Sequence, residues 1–379
     1  MTIYTVNAGD TVNSIASAFG VTADSIIYSN QLASPYRLAV GQALLLNTGE
    51  NTTDKRFIYT NGYAYPFINS FNLTETLPYL TDLSIFSYGF TTTGELVPPP
   101  IDDTWMIALA KEAGTAPILT LTPFGPDGLF NNHLITVVVS DMAVQQNLID
   151  QLLAIISQKG FEGVDIDFEY ILAEDRVPFA EFVANVRAAV NAVGYPVSVA
   201  LAPKTSDDQP GLLYGGKDYG LLGAAADSVL LMTYEWGYTY GPPMAVAPLN
   251  RVREVVDYAI TRIPIEKINL GIPNYGYDWT LPFERGVTRA RTISNTEAVQ
   301  IAIENNVPIQ FDQVAMSPFF TYESEGLSHE VWFEDVRSMN AKFSLVQEYM
   351  LRGVGYWTVM NLFRANWLLL ADTFNIIKK

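Results

Sequence analysis

Residues 161–170, Phe-Glu-Gly-Val-Asp-Ile-Asp-Phe-Glu-Tyr, alternate apolar with acidic side chains. A period of two indicates a β-strand, because successive side chains of a strand point to opposite faces. The predicted strand therefore has an apolar face and an acidic face that carries Asp165, Asp167 and Glu169. Stacked carboxylates are costly, since each opposes ionisation of its neighbours and burial adds a desolvation penalty. A fold that keeps such a stack is expected to use it chemically.

This acidic face has three interpretations. The first is a solvated edge strand, which the flanking strand–helix alternation disfavours because it places the strand in a sheet covered on both faces. The second is a carboxylate cage for a divalent cation such as Mg²⁺, although no other acidic cluster obviously completes its shell. The third, which we favour, is general acid catalysis, because neighbouring carboxylates can hold one proton between them near neutral pH.

Composition limits the classes of partner and cofactor. The chain is 49% hydrophobic and 16% charged, as expected of a globular protein with a large core. Its formal net charge of −18 argues against nucleic acid and favours a largely neutral polysaccharide. Cysteine is absent, which excludes disulfides and zinc–sulfur sites, and the two histidines make a His-rich metal centre or a Ser-His-Asp triad improbable. We expect no metal and no cofactor.

Targeting signals are not recognisable in the sequence. The N-terminal Met-Thr-Ile-Tyr-Thr-Val has neither a basic nor an extended apolar region, so we expect no signal peptide and synthesis in the cytosol. No apolar run approaches the roughly 18 residues that span a bilayer, so we expect no membrane partner.

The chain divides into two predicted domains joined by the polar residues 47–55. Residues 1–49 have a strand–helix–helix–strand (βααβ) pattern, and residues 55–379 alternate strands with helices, which predicts an α/β fold with a parallel sheet. Eight segments of the larger domain have strand character: 62–67, 83–90, 117–122, 163–170, 197–202, 228–234, 268–273 and 355–360.

The acidic decapeptide closely resembles the signature of family 18 glycoside hydrolases, the chitinase-like (β/α)8 barrels. Their pattern Asp-x-x-Asp-x-Asp-x-Glu, at the end of barrel strand four, corresponds to Glu162, Asp165, Asp167 and Glu169. The last three positions match, and Glu162 replaces the usual Asp. The resemblance implies a (β/α)8 TIM barrel. Residues 55–379 exceed the roughly 250 residues typical of such barrels, and a small α+β insertion is expected within about 280–331.

Other predicted strand ends resemble the same family. Met232 and Tyr234 match its Met-x-Tyr-Asp motif, in which the Tyr hydroxyl binds the acetamido carbonyl of the sugar, whereas Glu235 stands in place of Asp. Tyr275 would line the cleft and Trp357 would form the floor beneath the cleaved sugar, where an aromatic face stacks on pyranose C–H groups. Ordinary packing is an equally good explanation of Met232, and a buried core position is the alternative for Trp357.

Aromatic residues also cluster at the predicted strand ends. Tyr170 and Trp236 belong to this group, which suits a sugar-binding cleft, although each alone is compatible with packing.

The segment Gly211–Lys217 fits the Gly-x4-Gly-Lys pattern of a phosphate-binding loop. Asp218 follows it where Ser or Thr is required, and no apolar strand precedes it, so we reject phosphate binding there.

Residues 1–49 resemble a LysM module, on the basis of Tyr-Thr-Val-Asn-Ala-Gly-Asp-Thr at 4–11 and Leu-Ala-Val-Gly-Gln-Ala-Leu-Leu-Leu at 38–46. Such modules bind N-acetylglucosamine-containing glycans in a groove between two loops. The positions that correspond to these loops are Gly9, Asp10, Thr11, Asn30, Gln31 and Leu32. Turn formation and helix capping are the alternative roles of Gly9 and Asp10, and both roles are compatible.

The resemblance to family 18 implies retaining, substrate-assisted hydrolysis of β-1,4 bonds at N-acetylglucosamine. Glu169 would be the acid, Asp167 would orient the acetamido N–H, Asp165 would share a proton with Asp167, and Tyr234 would hold the carbonyl. The segments 234–238, 271–279 and 331–335 most resemble spore cortex-fragment-lytic N-acetylglucosaminidases of spore-forming bacteria, which implies peptidoglycan as substrate and deposition at the spore coat or cortex. A chitinase or chitooligosaccharide hydrolase is one alternative. A non-catalytic glycan-binding lectin is another, disfavoured because Glu169 is present.

Overall fold

The computed structural model describes residues 1–49, 54–125 and 128–379. Residues 1–49, here called the N-terminal unit, contain the elements β1 Thr2–Thr5, α1 Val12–Phe19, α2 Ala23–Ser29 and β2 Ala43–Leu46. β1 and β2 pair antiparallel. Thr11 caps α1, and Gly20 ends it in the left-handed conformation (φ +67°) that glycine adopts at low cost. The βααβ order predicted from the sequence is confirmed.

Parallel strands form a closed barrel after the N-terminal unit. Within the described ranges eight strands close it: β3 Phe57–Ala64, β4 Asp82–Phe90, β6 Ala116–Leu121, β7 Val164–Ile166, β8 Val197–Leu201, β9 Ser228–Leu231, β10 Ile268–Pro273 and β16 Gly353–Trp357. Closure is complete because β3 pairs in parallel with both β4 and β16. Two short strands, β5 Leu96–Val97 and β17 Asn375–Ile376, extend the sheet at its margins. The predicted (β/α)8 barrel is confirmed.

Helices cover the outside of the barrel. They are α3 Ser70–Thr76, α4 Thr104–Glu112, α5 Asn132–Ser140, α6 Met142–Lys159, α7 Arg176–Ala192, α8 Tyr219–Ala225, α9 Leu249–Ala259, α11 Val336–Glu348 and α12 Arg364–Thr373. α6 shows why they form: Asp141 accepts the N–H groups of its first turn, Gly160 ends it at φ +82°, and Leu148, Leu152 and Ile156 bury one face. Among the described residues, no helix is both long and apolar enough to cross a membrane.

Several strand boundaries differ from those predicted, most clearly those of the first and fourth barrel strands. The first barrel strand begins at Phe57 rather than at residue 62, because its amino-terminal half pairs with β16 and β17 although it follows a polar segment. The fourth strand ends at Ile166 rather than at residue 170, since Ile166 is the last residue in register with both β6 and β8. Asp167 and Glu169 therefore lie just beyond the strand, at the carboxyl-terminal face of the barrel, where active sites of this fold lie.

A second sheet lies between β10 and α11 in the sequence. Its antiparallel strands are β11 Gly276–Thr280, β12 Arg291–Ile293, β13 Gln310–Asp312, β14 Ser317–Ser324 and β15 Leu327–Trp332, accompanied by α10 Asn295–Glu304. Ala298, Phe320 and Val331 belong to a small core that is separate from that of the barrel and also includes Ala39 of the N-terminal unit. The sheet begins directly after β10, so its first strand brings Tyr277 to the mouth of the barrel.

The N-terminal unit packs directly on the barrel. Leu45 is fully buried in the main core, whereas its neighbour Leu44 belongs to the core of the N-terminal unit. The Gln31 side chain accepts from Arg364 N at 2.7 Å and donates to Leu362 O at 3.1 Å. A Cβ on Gly41 would stand 1.9 Å from Ile309 O, so this close approach requires glycine. Of the predicted linker 47–55, residues 50–53 lie outside the described residues.

We expect Leu45→Ala to destabilise the barrel although the substitution lies in the N-terminal unit. Truncating a fully buried leucine costs about 2 to 5 kcal/mol of unfolding free energy. All six tryptophans of the chain lie after residue 100, outside the N-terminal unit, so tryptophan fluorescence during denaturant unfolding reports on the barrel and the second sheet. Val40→Ala, at a side chain that is 45% exposed, is the matched control. An unchanged barrel transition in Leu45→Ala would show that the two parts unfold independently.

Candidate active site

The acidic series begins inside the barrel with Asp165. This carboxylate is fully buried, and it accepts hydrogen bonds from Tyr63 OH at 2.8 Å and from Ser198 Oγ at 2.6 Å. Tyr63 is on β3 and reaches Asp165 because the sheet closes into a barrel, whereas Ser198 is on the neighbouring β8, in register with Asp165. Burial raises the Asp165 pKa, while both hydrogen bonds lower it. Sequence reasoning missed Ser198, whose only signal is its place on the strand next to β7.

Asp167 follows, nearer the mouth of the barrel. It is almost completely buried, and among the described residues its Oδ1 has no hydrogen-bond partner. Burial raises its pKa well above the usual range, and the nearby carboxylates of Glu169 and Asp165 raise it further. A buried carboxylate oxygen without a donor is costly, and either a proton or an N–H group of a bound molecule would satisfy it. In the described part of the chain, no group of three His, Cys, Asp or Glu side chains is suited to hold a metal ion.

Glu169 is the outermost acid of the series. Its side chain is half-buried, so a molecule in the cleft can reach it, and burial raises its pKa. A raised pKa keeps a carboxyl group protonated closer to neutral pH, as a general acid requires. Tyr170 follows with a left-handed backbone (φ +54°) and exposes its ring at the cleft edge, edge-on to Phe130. Non-glycine residues in this region are uncommon and are enriched at functional sites.

Glu162 lies apart from the three acids. It precedes β7 at the amino-terminal end of the strand, and its carboxylate pairs with Lys111 Nζ at 3.4 Å. The structure therefore brings together the last three positions of the acidic decapeptide, and separates the first from them.

Tyr234 stands against the acidic series from the end of β9. Its side chain is buried, and burial followed by the charges of Asp167 and Glu169 raises its pKa well above the ordinary value. The hydroxyl therefore stays protonated and can donate. Gly271 makes room for the ring, since a Cβ there would lie 2.9 Å from Tyr234 Cε1. Thr233 Oγ1 donates to Gly271 O at 2.8 Å and fixes this stretch of backbone.

Glu235 is held by Tyr275, which lies just before β11, and by Tyr277 of β11. Its carboxylate accepts from the hydroxyls of Tyr275 and, at 2.9 Å, Tyr277, while part of the side chain is exposed to the cleft. Its backbone is left-handed (φ +67°). Burial raises its pKa, and the two tyrosine hydrogen bonds lower it. Tyr277, which sequence reasoning missed, thus shares with Tyr275 the task of orienting the longer acid found here.

An aromatic platform closes the inner end of the cleft. Trp357 is partly exposed, and its ring contacts those of Tyr63, Tyr65 and Phe86 at centroid distances of 5.6, 6.1 and 5.1 Å. Met232 packs against the same cluster and is partly buried. Trp357 is therefore anchored from below with one surface left for a ligand. Its contact with a sugar stays a prediction.

Trp236 is also partly buried, next to Glu235 on the segment after β9. Its backbone N–H donates to Val246 O at 3.1 Å, which turns the chain at the mouth of the barrel. Both Trp236 and Tyr170 therefore stand at the mouth, on the segments that follow β9 and β7.

The loops of the N-terminal unit have evident structural tasks. Asp10 accepts from Tyr4 OH at 2.6 Å and Asn7 N at 2.7 Å, Thr11 caps α1, and Gly9 has φ +88°. A cavity of about 780 Å³ lies beside Asp10 and Thr11 and is also bordered by Glu304 of α10.

The second loop is tied more tightly to the protein. The Asn30 side chain accepts from Leu45 N at 2.8 Å and donates to Leu45 O at 2.9 Å. Gln31 bonds to the barrel backbone, as described above, and Leu32 packs on the core of the N-terminal unit. Glycan binding by both loops stays a prediction.

Two family profiles match the chain. That of glycosyl hydrolases family 18 matches residues 130–361, which include the acidic series, Tyr234 and Trp357. That of the LysM domain matches residues 4–47.

Known proteins resemble the whole chain. The cortical fragment-lytic enzyme of Bacillus subtilis (strain 168) is 40% identical over 431 aligned residues, covering 100% of this chain and 99% of its own. The enzyme of the same name from Bacillus anthracis is 35% identical, with the same coverage. The crystal structure of the Bacillus cereus spore cortex-lytic enzyme SleL superposes with a TM-score of 0.95 at 34% identity, covering 100% of this chain and 98% of that one. From these matches and the geometry of its site, the chain belongs to glycosyl hydrolases family 18.

Proposed function

We propose that this chain is a retaining N-acetylglucosaminidase that cleaves β-1,4 bonds in spore cortex peptidoglycan, with the acetamido group of the substrate as the nucleophile. One observation carries the proposal: a reachable acid, Glu169, lies beside a buried carboxylate, Asp167, whose Oδ1 finds no donor in the described part of the chain. An acetamido N–H would satisfy that oxygen. The substrate class is supported by the cortical fragment-lytic enzymes, which match this chain over its whole length.

In the first step the Glu169 carboxyl gives its proton to the glycosidic oxygen while the bond from that oxygen to the anomeric carbon breaks. The acetamido oxygen of the same sugar forms a new bond to the anomeric carbon, which yields an oxazolinium ion. In the second step water attacks that carbon, the ring opens, and the water proton passes to Glu169. Two inversions give net retention, and this substrate assistance distinguishes family 18 from glycosidases with a carboxylate nucleophile.

The remaining residues orient the acetamido group. Asp167 accepts its N–H and stabilises the positive charge that develops on the nitrogen, while Asp165 shares a proton with Asp167. Tyr234 donates to the acetamido oxygen, for which its raised pKa is suited. Trp357 supports the sugar ring from below. Desolvation strengthens each of these electrostatic contacts, since the carboxylates are largely removed from water.

The N-terminal unit would hold the enzyme on its insoluble substrate. LysM and family 18 domains both bind N-acetylglucosamine-containing glycans such as peptidoglycan. A second binding site on the same chain raises the local concentration of the barrel at the glycan. The docked N-terminal unit fixes the direction from which that glycan arrives, unlike a module on a flexible tether. We further propose that the protein is made in the cytosol and deposited at the spore coat or cortex.

The test is to incubate the enzyme with purified cortex fragments and, separately, with chitin oligosaccharides. After borohydride reduction, mass spectrometry identifies the sugar at each new reducing end. We expect reduced N-acetylglucosamine from cortex fragments, and faster cleavage of these than of chitin oligosaccharides. Glu169→Gln protein is the blank for contaminating activity. New reducing ends of muramic acid, or preference for chitin, would contradict the proposed bond or substrate, and binding without cleavage would favour a lectin.

A further inference from the structure

We propose that Lys217 is a positioning residue of the active site, whose buried ammonium group balances the charge of Asp165, Asp167 and Glu169 and so sets the pH range of the reaction. This inference rests on the proposed function of those three acids. Lys217 is the last residue of the segment 211–217, which resembles a phosphate-binding loop. The proposed hydrolysis of a glycan gives this segment no role.

The position of the ammonium group follows from the strand register. Lys217 is fully buried, and its Nζ donates to Ala200 O at 2.6 Å. Ala200 follows Val199 on β8, and Val199 is in register with Ile166 of β7. Ala200 and Asp167 therefore each directly follow the last registered pair of two neighbouring strands, which lie about 4.8 Å apart in parallel sheets. The hydrogen bond to Ala200 places the ammonium group beside the acidic series.

Gly216, directly before the lysine, lets its loop approach the segment that follows Glu169 closely. A Cβ on Gly216 would lie 2.4 Å from Ile171 Cγ2 and 2.5 Å from Ile171 O, so only glycine fits. A Cβ on Gly215 would touch Ala173 at 3.5 Å. Both neighbours belong to the segment that follows Glu169. The loop of residues 215–217 therefore packs against the backbone that follows Glu169. This packing positions the Lys217 side chain next to the acidic series.

A buried ammonium group is costly unless negative charge compensates for it. Among the described residues, no carboxylate lies within the 4.0 Å of an ion pair with Lys217, and the Phe179 ring lies 5.8 Å from Nζ. Compensation therefore comes from the acidic series at longer range. Burial lowers the Lys217 pKa to about 8, and the charges of Asp167, Glu169 and Asp165 oppose that shift. Below this pH the lysine is charged.

Other charged groups lie near Lys217 and the acidic series. Lys204 donates to Lys217 O at 2.9 Å, and Arg176 pairs with Asp218 at 3.8 Å. The described titratable groups that interact with the acidic series from other elements include Tyr63, Tyr65, Tyr234, Glu235 and Asp82, whose charge raises the Asp165 pKa. Lys217 is the cation whose charge lowers the pKa of all three acids.

Loss of this charge would raise the pKa of each acid. Asp167 must be ionised for the reaction, so the acidic limb of the kcat/KM profile would move to higher pH. Glu169 must be protonated, so the alkaline limb would move in the same direction. The whole profile is therefore expected to shift upward, by about one pH unit, at the lower end of the effect of a nearby opposite charge.

The experiment compares pH profiles of kcat/KM for wild type, Lys217→Met and Lys217→Arg. We expect both limbs to move upward in Lys217→Met and to stay in place in Lys217→Arg, which retains the charge. Lys267→Met is the matched control, since the Lys267 ammonium likewise donates to backbone carbonyls (two of them, at 2.9 and 2.8 Å) but lies before the amino-terminal end of β10. A folded Lys217→Met protein with an unshifted profile would overturn the inference.

A second measurement covers the case in which Lys217→Met does not fold. NMR of the ε-carbon in ¹³C-labelled lysine reports the Lys217 pKa, assigned as the signal that Lys217→Arg lacks. If Lys217 interacts electrostatically with Asp167, the Asp167→Asn substitution must lower the Lys217 pKa, because it removes a neighbouring negative charge. An unchanged Lys217 pKa would reject the proposal. Active Glu169→Gln protein would instead reject the proposed function, while leaving the coupling itself measurable.

Discussion

Glu169→Gln is expected to lower kcat on cortex fragments by about 10² to 10⁴, the usual contribution of a general acid or base. The amide keeps the shape and hydrogen-bonding capacity of the side chain but has no proton to give to the leaving oxygen. KM is expected to change little, because the surfaces that bind substrate, above all Trp357 and Tyr234, are untouched. Steady-state kinetics together with binding to the inactive variant measures both effects.

The matched control is Glu174→Gln, which makes the same chemical change at an exposed position five residues further along the chain. It is expected to leave kcat unchanged. If Glu169→Gln retained activity within about threefold of wild type, Glu169 would not be the acid, since that residual rate is far above the expected loss. Glu235, the other carboxylate that the cleft exposes, would then be the next residue to test.

Much of the catalytic centre was predictable because it is encoded locally. Strand alternation alone put Asp165, Asp167 and Glu169 on one face, and the rule that active sites lie at strand ends put Glu169 outermost. Tyr234 was accessible through its motif. Each prediction relied on side chains a few residues apart, where backbone geometry determines their relation.

Contacts between residues far apart in the sequence were not predictable in this way. Tyr63 and Ser198 reach Asp165 from strands 102 and 33 residues away in sequence. The proximity of Lys217 to the acids was not predicted, because it depends on the register of β8 and on the packing of Gly216. The docking of Gln31 on Arg364 likewise joins residues 333 positions apart. Nothing in the local pattern of either segment carries that information.

Removal of the acetamido group from the substrate is expected to slow hydrolysis strongly. Cortex fragments that have been de-N-acetylated at the cleaved sugar are expected to react at least roughly 10³-fold more slowly, since an intramolecular nucleophile acts at an effective concentration of up to about 10⁵ to 10⁸ M. The amine that remains has no carbonyl oxygen to attack the anomeric carbon. Product formation by matched acetylated and de-N-acetylated fragments measures the effect.

A thiazoline analogue of the oxazolinium ion extends this test to the protein. It is expected to inhibit wild type strongly and Asp167→Asn weakly, because the neutral amide of that variant lacks the negative charge that stabilises the ring nitrogen when it is positive. Glu174→Gln should bind the analogue as wild type does. Trapping of a glycosyl group on any carboxylate of the enzyme would show that the protein supplies the nucleophile. If that carboxylate were Asp167, its Oδ1, which has no partner among the described residues, would be the attacking atom rather than the acceptor of an N–H group.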